Sequence, residues 1–262
     1  LIANLSTAIL GRVAVNLNFT TAKKSFHSSI EQCKLGTIIT SRSFIERFPD
    51  LGIEENKLVF IEDILRNLTI WTKIRSLLLA RFAPFRHIAG AKETSADTPA
   101  LVLFSSGSTG EPKGVMLSQH NVLSMIESLQ MMFATSPEDR ICGTLPLFHS
   151  FGIMGTIWYP VLGHLQVSYH TNPLDAQTVV QIVRENKITM MFGTPTFLHL
   201  YLRKATKEDF ATVKFVLAGA EKLKESLIAA YEEKFGIRPY EAYGATELSP
   251  GIAISIPHGT GG

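Results

Sequence analysis

Apolar residues along this chain fall into short continuous runs and longer helically spaced series, and the two alternate. Gly11 to Asn18 reads as a buried strand, Ala22 to Cys33 as a helix and Thr37 to Thr40 as a second strand, a β–α–β opening. Ala100 to Phe104 is a further short buried strand. Ser118 can cap a helix that carries Val122, Met125, Ile126, Leu129, Met132 and Phe133 at helical spacing. Asn172-Pro173 opens another helix through Ile182 and Val183, followed by a strand from Ile188 to Phe192 and a Gly-Thr-Pro stop. Val213 to Leu217 is a strand, Lys224 to Phe235 a helix closed by Gly236, and Arg238 to Tyr243 a last strand. The alternation predicts an α/β protein with mostly parallel sheets flanked by helices, and ligands beyond the carboxyl ends of the strands.

Two segments depart from this rhythm. Ile141 to Leu174 holds no Asp, Glu, Lys or Arg, yet Pro146, Pro160 and three histidines interrupt any membrane span. A buried segment lining an apolar pocket is expected instead, with Met131, Met132, Phe148, Phe151, Ile153, Met154, Trp158 and Phe197 as lining. Ile64 to His87 places Ile64, Leu68, Trp71, Ile74, Leu78, Phe82 and Phe85 at near-helical spacing among Arg66, Lys73, Arg75, Arg81 and Arg86, with no acidic residue between Asp63 and Glu93. That pattern suits either peripheral contact of 64–87 with an anionic membrane surface or packing on its own domain with the arginines reaching solvent.

Composition narrows the classes. With 45% hydrophobic and 18% charged residues the chain is globular rather than disordered, and its 262 residues can bury a sizeable core. Its 25 basic against 23 acidic residues leave a formal charge of +2, so global charge gives no support to a nucleic-acid partner. Cys33 and Cys142 form no metal-ligand spacing and fit a reducing compartment. Three Asn-X-Ser/Thr triplets, at Asn4, Asn18 and Asn67, are read as chance matches.

The chemistry is concentrated in Phe104 to Val115, F-S-S-G-S-T-G-E-P-K-G-V. Gly107 and Gly110 permit tight turns that can aim backbone N–H groups at an anion, and Ser105, Ser106, Ser108 and Thr109 add hydroxyl donors. Lys113 adds a mobile point charge suited to phosphate oxygens. A Walker A loop is excluded, because Lys113 follows Pro112 and precedes Gly114 where that motif needs Gly-Lys and then Ser or Thr.

The loop resembles the signature of the adenylate-forming, AMP-binding superfamily, and four further blocks stand in that family's order. They are Leu145 to Gly152 (L-P-L-F-H-S-F-G), Phe192 to Phe197 (F-G-T-P-T-F), Leu217 to Leu223 (L-A-G-A-E-K-L) and Tyr240 to Pro250 (Y-E-A-Y-G-A-T-E-L-S-P). In detail the wording is similar to the acyl-(acyl carrier protein) synthetase part of bacterial 2-acylglycerophosphoethanolamine acyltransferases. The resemblance implies the large N-terminal adenylation core of an acyl-CoA synthetase-like fold, in part. It makes residues 1–262 a partial N-terminal region without the carboxy-terminal lid domain, for which feeble adenylation by this chain alone is expected.

What the resemblance implies about function is equally specific. ATP and Mg²⁺ would activate a fatty acid as its acyl-adenylate, and the acyl group would pass to a phosphopantetheine thiol of acyl carrier protein or CoA. A lysophospholipid acyltransferase domain in the parent chain would then consume it, in the cytoplasm or at the inner face of the plasma membrane. Ser105 to Gly110 and Lys113 would hold the phosphates, and Gly219, Ala220 and Glu221 would form one adenine wall. Tyr243 and Gly244 would form the other, with Thr246 at the α-phosphate, Glu247 on Mg²⁺ and His149 near the substrate carboxylate. Activation of an aryl or amino acid, or a non-catalytic nucleotide- or lipid-binding membrane module, are the alternatives.

Overall fold

In the computed structural model, which describes residues 1–83, 95–106 and 111–255, the chain divides into two units, Leu1–Gln119 and His120–Gly262. The first contains, in order, α1 (Ile2–Ile9), β1 (Ala14–Asn16), α2 (Lys23–Gln32), β2 (Ile38–Thr40), α3 (Arg42–Arg47), β3 (Leu58–Phe60), α4 (Ile61–Arg66), α5 (Ile70–Phe82), β4 (Pro99–Ser106) and β5 (Pro112–Ser118). Helix α1, for which the apolar pattern gives no expectation, is tied to β1 by reciprocal amide hydrogen bonds between Asn4 and Asn16 at 3.0 and 2.9 Å.

β1 runs parallel to β4, and β4 antiparallel to β5, whereas among the described residues β2 pairs only with β3, in a separate sheet. The β–α–β opening is therefore corrected: β1 and β2 are not neighbours. The reason is a local apolar cluster in which Phe26 and Ile30 of α2 pack with Leu51 and draw in Phe19, Phe44 and Phe48. Burying these aromatic side chains favours keeping β2 and β3 beside that cluster. β4 instead lies between β1 and β5, with Leu101 and Leu103 fully buried.

The segment 64–87 is corrected as well. It does not form one helix, because Thr69 starts α5 anew by accepting a hydrogen bond from the Thr72 backbone N–H at 3.2 Å. Every residue from Ile64 to Phe82 is exposed, so packing on its own domain is not met there. Phe85, Arg86 and His87 lie outside the described residues.

The second unit contains α6 (Gln119–Phe133), β6 (Arg140–Gly143), α7 (Ser150–Ile153), a π-helical turn (Met154–Trp158), α8 (Tyr159–Gly163), β7 (Gln166–Tyr169), α9 (Ala176–Glu185), β8 (Met190–Gly193), α10 (Pro195–Lys204), β9 (Phe215–Ala218), α11 (Glu225–Phe235), β10 (Tyr240–Gly244) and β11 (Gly251–Ile254). Its six-stranded sheet has the order β11-β10-β9-β8-β6-β7, parallel throughout except for the antiparallel edge strand β11. All four residues of β8 are buried, as expected for a central parallel strand covered on both faces.

Local chemistry sets the boundaries. Asp175, rather than Asn172, caps α9 by accepting from Thr178 N at 3.2 Å, and Val179, Val180 and Val183 then face the core. Thr194 caps α10 with Pro195 in its first turn, so the Gly-Thr-Pro sequence starts a helix instead of merely ending a strand. Gly236 closes α11 at φ +74°, a left-handed conformation that glycine adopts without penalty. Tyr201 and Tyr231 are fully buried, and each satisfies its hydroxyl by donating to a backbone carbonyl, Pro173 O at 2.9 Å and Leu198 O at 2.8 Å.

Candidate active site

Four of the quoted blocks emerge from carboxyl ends of strands in one sheet. Thr144 to Phe151 follows β6, Thr194 to Phe197 follows β8, Gly219 to Leu223 follows β9, and Ala245 to Leu248 follows β10. Because β6, β8, β9 and β10 are parallel, these four turns lie at the same edge. The β8 and β9 turns are joined where Gly219 N–H donates to Gly193 O at 3.1 Å.

The turn after β9 is held at both ends. Glu221 accepts a hydrogen bond from the Thr196 hydroxyl at 2.6 Å, and Leu223 N–H donates to the Glu241 carboxylate at 2.8 Å. Immediately before Glu221, Ala220 sits at φ +67°, where a Cβ crowds the following carbonyl. At Gly219 a Cβ would come within 3.1 Å of the Phe151 ring, so the turn after β6 lies directly against the turn after β9. Thr196 and Glu241 lie in or beside quoted blocks, but only the fold shows them gripping this turn.

The Y-G-A-T-E turn is equally constrained. A Cβ on Gly244 would lie 1.7 Å from Pro250 O, so only glycine fits where β10 closes on the chain leading to β11. Tyr243 is 70% exposed, and an exposed aromatic side chain can stack on a planar ligand. Thr246 shares a hydrogen bond with Ser150 at 3.3 Å, which links the β10 turn to the histidine block. Glu247 is exposed one residue further on.

His149 precedes α7, with its ring 4.7 Å from that of Phe148. The residue is exposed, yet desolvation by the surrounding protein lowers its pKa below the usual 6.5. It is therefore neutral near pH 7 and can donate or accept a hydrogen bond without adding charge.

Of the other residues expected to line an apolar pocket, Phe148, Ile153, Met154 and Trp158 are buried, and Phe151 and Phe197 are half-buried. Met131 and Met132 are corrected: at 79% and 45% exposure they lie on the outer side of α6, away from any apolar lining. In that helix Val122, Ile126 and Phe133 take the core face, which leaves the adjacent positions outside.

In the first unit, Ser105 and Lys113 are direct partners across the β4–β5 hairpin, and Ser106 is paired with Pro112. β4 is thus followed by the antiparallel strand β5, and Lys113 stands exposed on that returning strand. Gln32 donates to Pro112 O at 3.0 Å and ties α2 to the first residue of β5. Gly107, Ser108, Thr109 and Gly110 lie outside the described residues.

Among the described residues no three His, Cys, Asp or Glu side chains group as a ready-made metal cage. An exposed Glu247 carboxylate fits Mg²⁺, which takes one or two carboxylates together with phosphate oxygens and water. It would suit poorly a metal that needs an all-protein coordination shell.

Comparison with known proteins agrees with this arrangement. The family described as AMP-binding enzyme matches residues 1–261. The 4-coumarate–CoA ligase-like 9 of Oryza sativa subsp. japonica is 32% identical over 167 residues, covering 60% of this chain and 29% of that protein. The mitochondrial medium-chain acyl-CoA ligase of Danio rerio is 28% identical over 171 residues, covering 63% of this chain and 28% of that protein. Among solved structures, o-succinylbenzoate coenzyme A synthetase from Bacillus subtilis, in complex with ATP and magnesium ion, shares the fold at a TM-score of 0.74 and 21% identity, over 98% of this chain and 50% of that one. The chain thus spans half or less of each of these three proteins.

Proposed function

Since the chain belongs to the AMP-binding enzyme family, we propose that it forms the large N-terminal part of an enzyme that activates a long-chain fatty acid with ATP. The observation that carries this reading is the convergence of four motif turns at the carboxyl ends of β6, β8, β9 and β10. In the reaction, a carboxylate oxygen attacks the α-phosphorus. A carboxyl O–P bond forms as the bond from that phosphorus to the bridging oxygen breaks, and pyrophosphate leaves with the electron pair.

The residues divide the work. Ser105, Ser106, Gly107, Ser108, Thr109, Gly110 and Lys113 hold the departing phosphates, and Thr246 meets the α-phosphate from the turn shared with Ser150. Donors already aimed at developing charge contribute about 2.7 to 4 kcal/mol each to such a step. Gly219, Ala220 and Glu221 form one side of the adenine site, and Tyr243 and Gly244 the other. Glu247 would hold Mg²⁺, which when bound neutralises phosphate charge. A neutral His149 orients the acid by hydrogen bonding without the electrostatic pinning of a cation, which would make the carboxylate a poorer nucleophile.

Long-chain specificity is supported by the buried apolar residues that neighbour His149 in the chain, Phe148, Ile153, Met154 and Trp158, and the activated acyl group would pass to the phosphopantetheine thiol of acyl carrier protein or CoA. A lysophospholipid would be the final acceptor, in a cytoplasmic enzyme working at the inner face of the plasma membrane. An aryl acid is the second reading, favoured by the 32% identity to a 4-coumarate–CoA ligase-like protein. Equilibrium titration with ATP, with and without Mg²⁺, tests the nucleotide site. Lys113→Ala is expected to weaken ATP binding at least tenfold, and Glu247→Ala to remove the Mg²⁺ dependence. Absence of ATP binding, or an unchanged Mg²⁺ dependence in Glu247→Ala, would overturn the assignment.

A further inference from the structure

Helix α5 is thirteen residues long, a length marginally stable in water without packing support. Seven of those residues are large apolar side chains left exposed, among them Trp71 and Phe82 at 75% each. A helix of this kind needs a partner that covers it, and its charges say which. From Ile64 to Phe82 there are four cations, Arg66, Lys73, Arg75 and Arg81, and no Asp or Glu.

The charges are placed as well as counted. At about 100° per residue, Ile74, Leu78, Trp71 and Phe82 form one stripe about 80° wide, with Arg81 about 20° beyond one edge and Arg75 about 20° beyond the other. Trp71, Ile74, Arg75, Leu78 and Phe82 border one continuous face. Thr72, Ser76 and Ala80 occupy the opposite side. Ile70 and Leu77 continue the apolar face beyond Arg81, and Leu79 beyond Arg75. A broad apolar face that carries arginines and lies opposite small and polar residues matches a lipid interface, where the face enters the acyl boundary and the guanidinium groups reach the headgroups.

We propose that α5 docks this chain on the surface of an anionic lipid bilayer, lying in the interface and not crossing it. No described helix is long and apolar enough to span a membrane. The proposal does not depend on which acid the enzyme activates, so vesicle binding and adenylate binding can fail separately.

The 262-residue chain would be titrated with vesicles of phosphatidylcholine, with and without phosphatidylglycerol, following sedimentation and tryptophan emission. Trp71 is exposed and Trp158 buried, so the difference between wild type and Trp71→Phe isolates the signal of α5. Binding to the anionic vesicles alone is expected, with a blue shift that Trp71→Phe removes. Each basic residue near the surface contributes about fivefold in partitioning, so Lys73→Gln, Arg75→Gln and Arg81→Gln together should lower it about a hundredfold. These residues are exposed, and unchanged far-ultraviolet dichroism would show that the fold survives. No binding, equal binding to neutral vesicles, or unchanged binding by the triple variant would overturn the proposal. A blue shift that appears on concentrating the chain without vesicles, with doubling of its mass, would also overturn it and give the face to a second copy.

Discussion

Ser150 and Thr246, 96 positions apart, share a hydrogen bond at 3.3 Å. Through it the block that carries His149 and the turn that carries Glu247 are set against each other at one end of the sheet. A hydroxyl positioned in this way has lost rotational freedom before any ligand arrives, which lowers the entropic cost of binding. A double-mutant cycle with Ser150→Ala and Thr246→Ala, read as affinity for an acyl-adenylate analogue, should therefore show a coupling of about 0.5 to 1.5 kcal/mol. Strict additivity would mean that the two hydroxyls act independently.

Ala220 occupies a left-handed conformation between Gly219, whose N–H is bonded to Gly193 O, and Glu221, bonded to Thr196; Leu223, bonded to Glu241, follows two residues on. Relieving the Cβ crowding with Ala220→Gly should raise stability by up to about 1 kcal/mol in denaturant unfolding. Thr196→Val removes one anchor and should weaken nucleotide binding through the turn it holds. If Ala220→Gly destabilises the protein, the φ angle is not a source of strain.

The strand-end positions of the blocks were legible because alternating apolar runs and helical series leave few α/β arrangements open. Pairing partners were not. β1 finds its neighbour β4 more than 80 residues downstream, and nothing near Gly11 to Asn18 records that choice. β5 has no clear pattern because Pro112 and Gly114 disfavour strand and only Leu117 among its residues is buried. Helices α4 and α5 read as one because apolar spacing continues through Leu68, while the only sign of a new start is the Thr69 cap. The Thr196–Glu221 and Ser150–Thr246 bonds join residues visible in the motifs, but which residues meet is a property of the sheet order.

Asp139 is a structural carboxylate whose chemistry predicts acid sensitivity. Burial acts to raise its pKa, but hydrogen bonds from the Ser136 backbone and the Thr189 hydroxyl, together with Lys214, outweigh burial and lower it. A carboxylate with a lowered folded pKa adds stability that is fully present above its unfolded value of about 3.9 and is lost as pH falls through the folded value. Asp139→Ala should cost about 1 to 3 kcal/mol at pH 7 by leaving its buried partners unsatisfied. The wild-type advantage over the variant should shrink below pH 4 in chemical denaturation, and a constant difference down to pH 2 would contradict this.

The two thiols should be distinguishable. Burial pushes Cys142 to about 12, which leaves a thiolate fraction of about 10⁻⁴ at pH 8, and its side chain is almost wholly inaccessible. Cys33 is only partly buried. A thiol reagent at pH 8 should label Cys33 in the folded chain and Cys142 only on unfolding, as peptide mass mapping would show. Equal labelling rates under native conditions would place Cys142 outside the packed core.

The most direct test of the proposed activity is calorimetric titration of this chain with non-hydrolysable acyl-adenylate analogues of increasing acyl length, alongside an aryl-adenylate analogue. Each methylene that enters an apolar pocket contributes up to about 0.8 kcal/mol, so affinity should climb close to fourfold per carbon and exceed that of the aryl compound. Equal affinity at every length, or preference for the aryl analogue, would contradict fatty-acid activation.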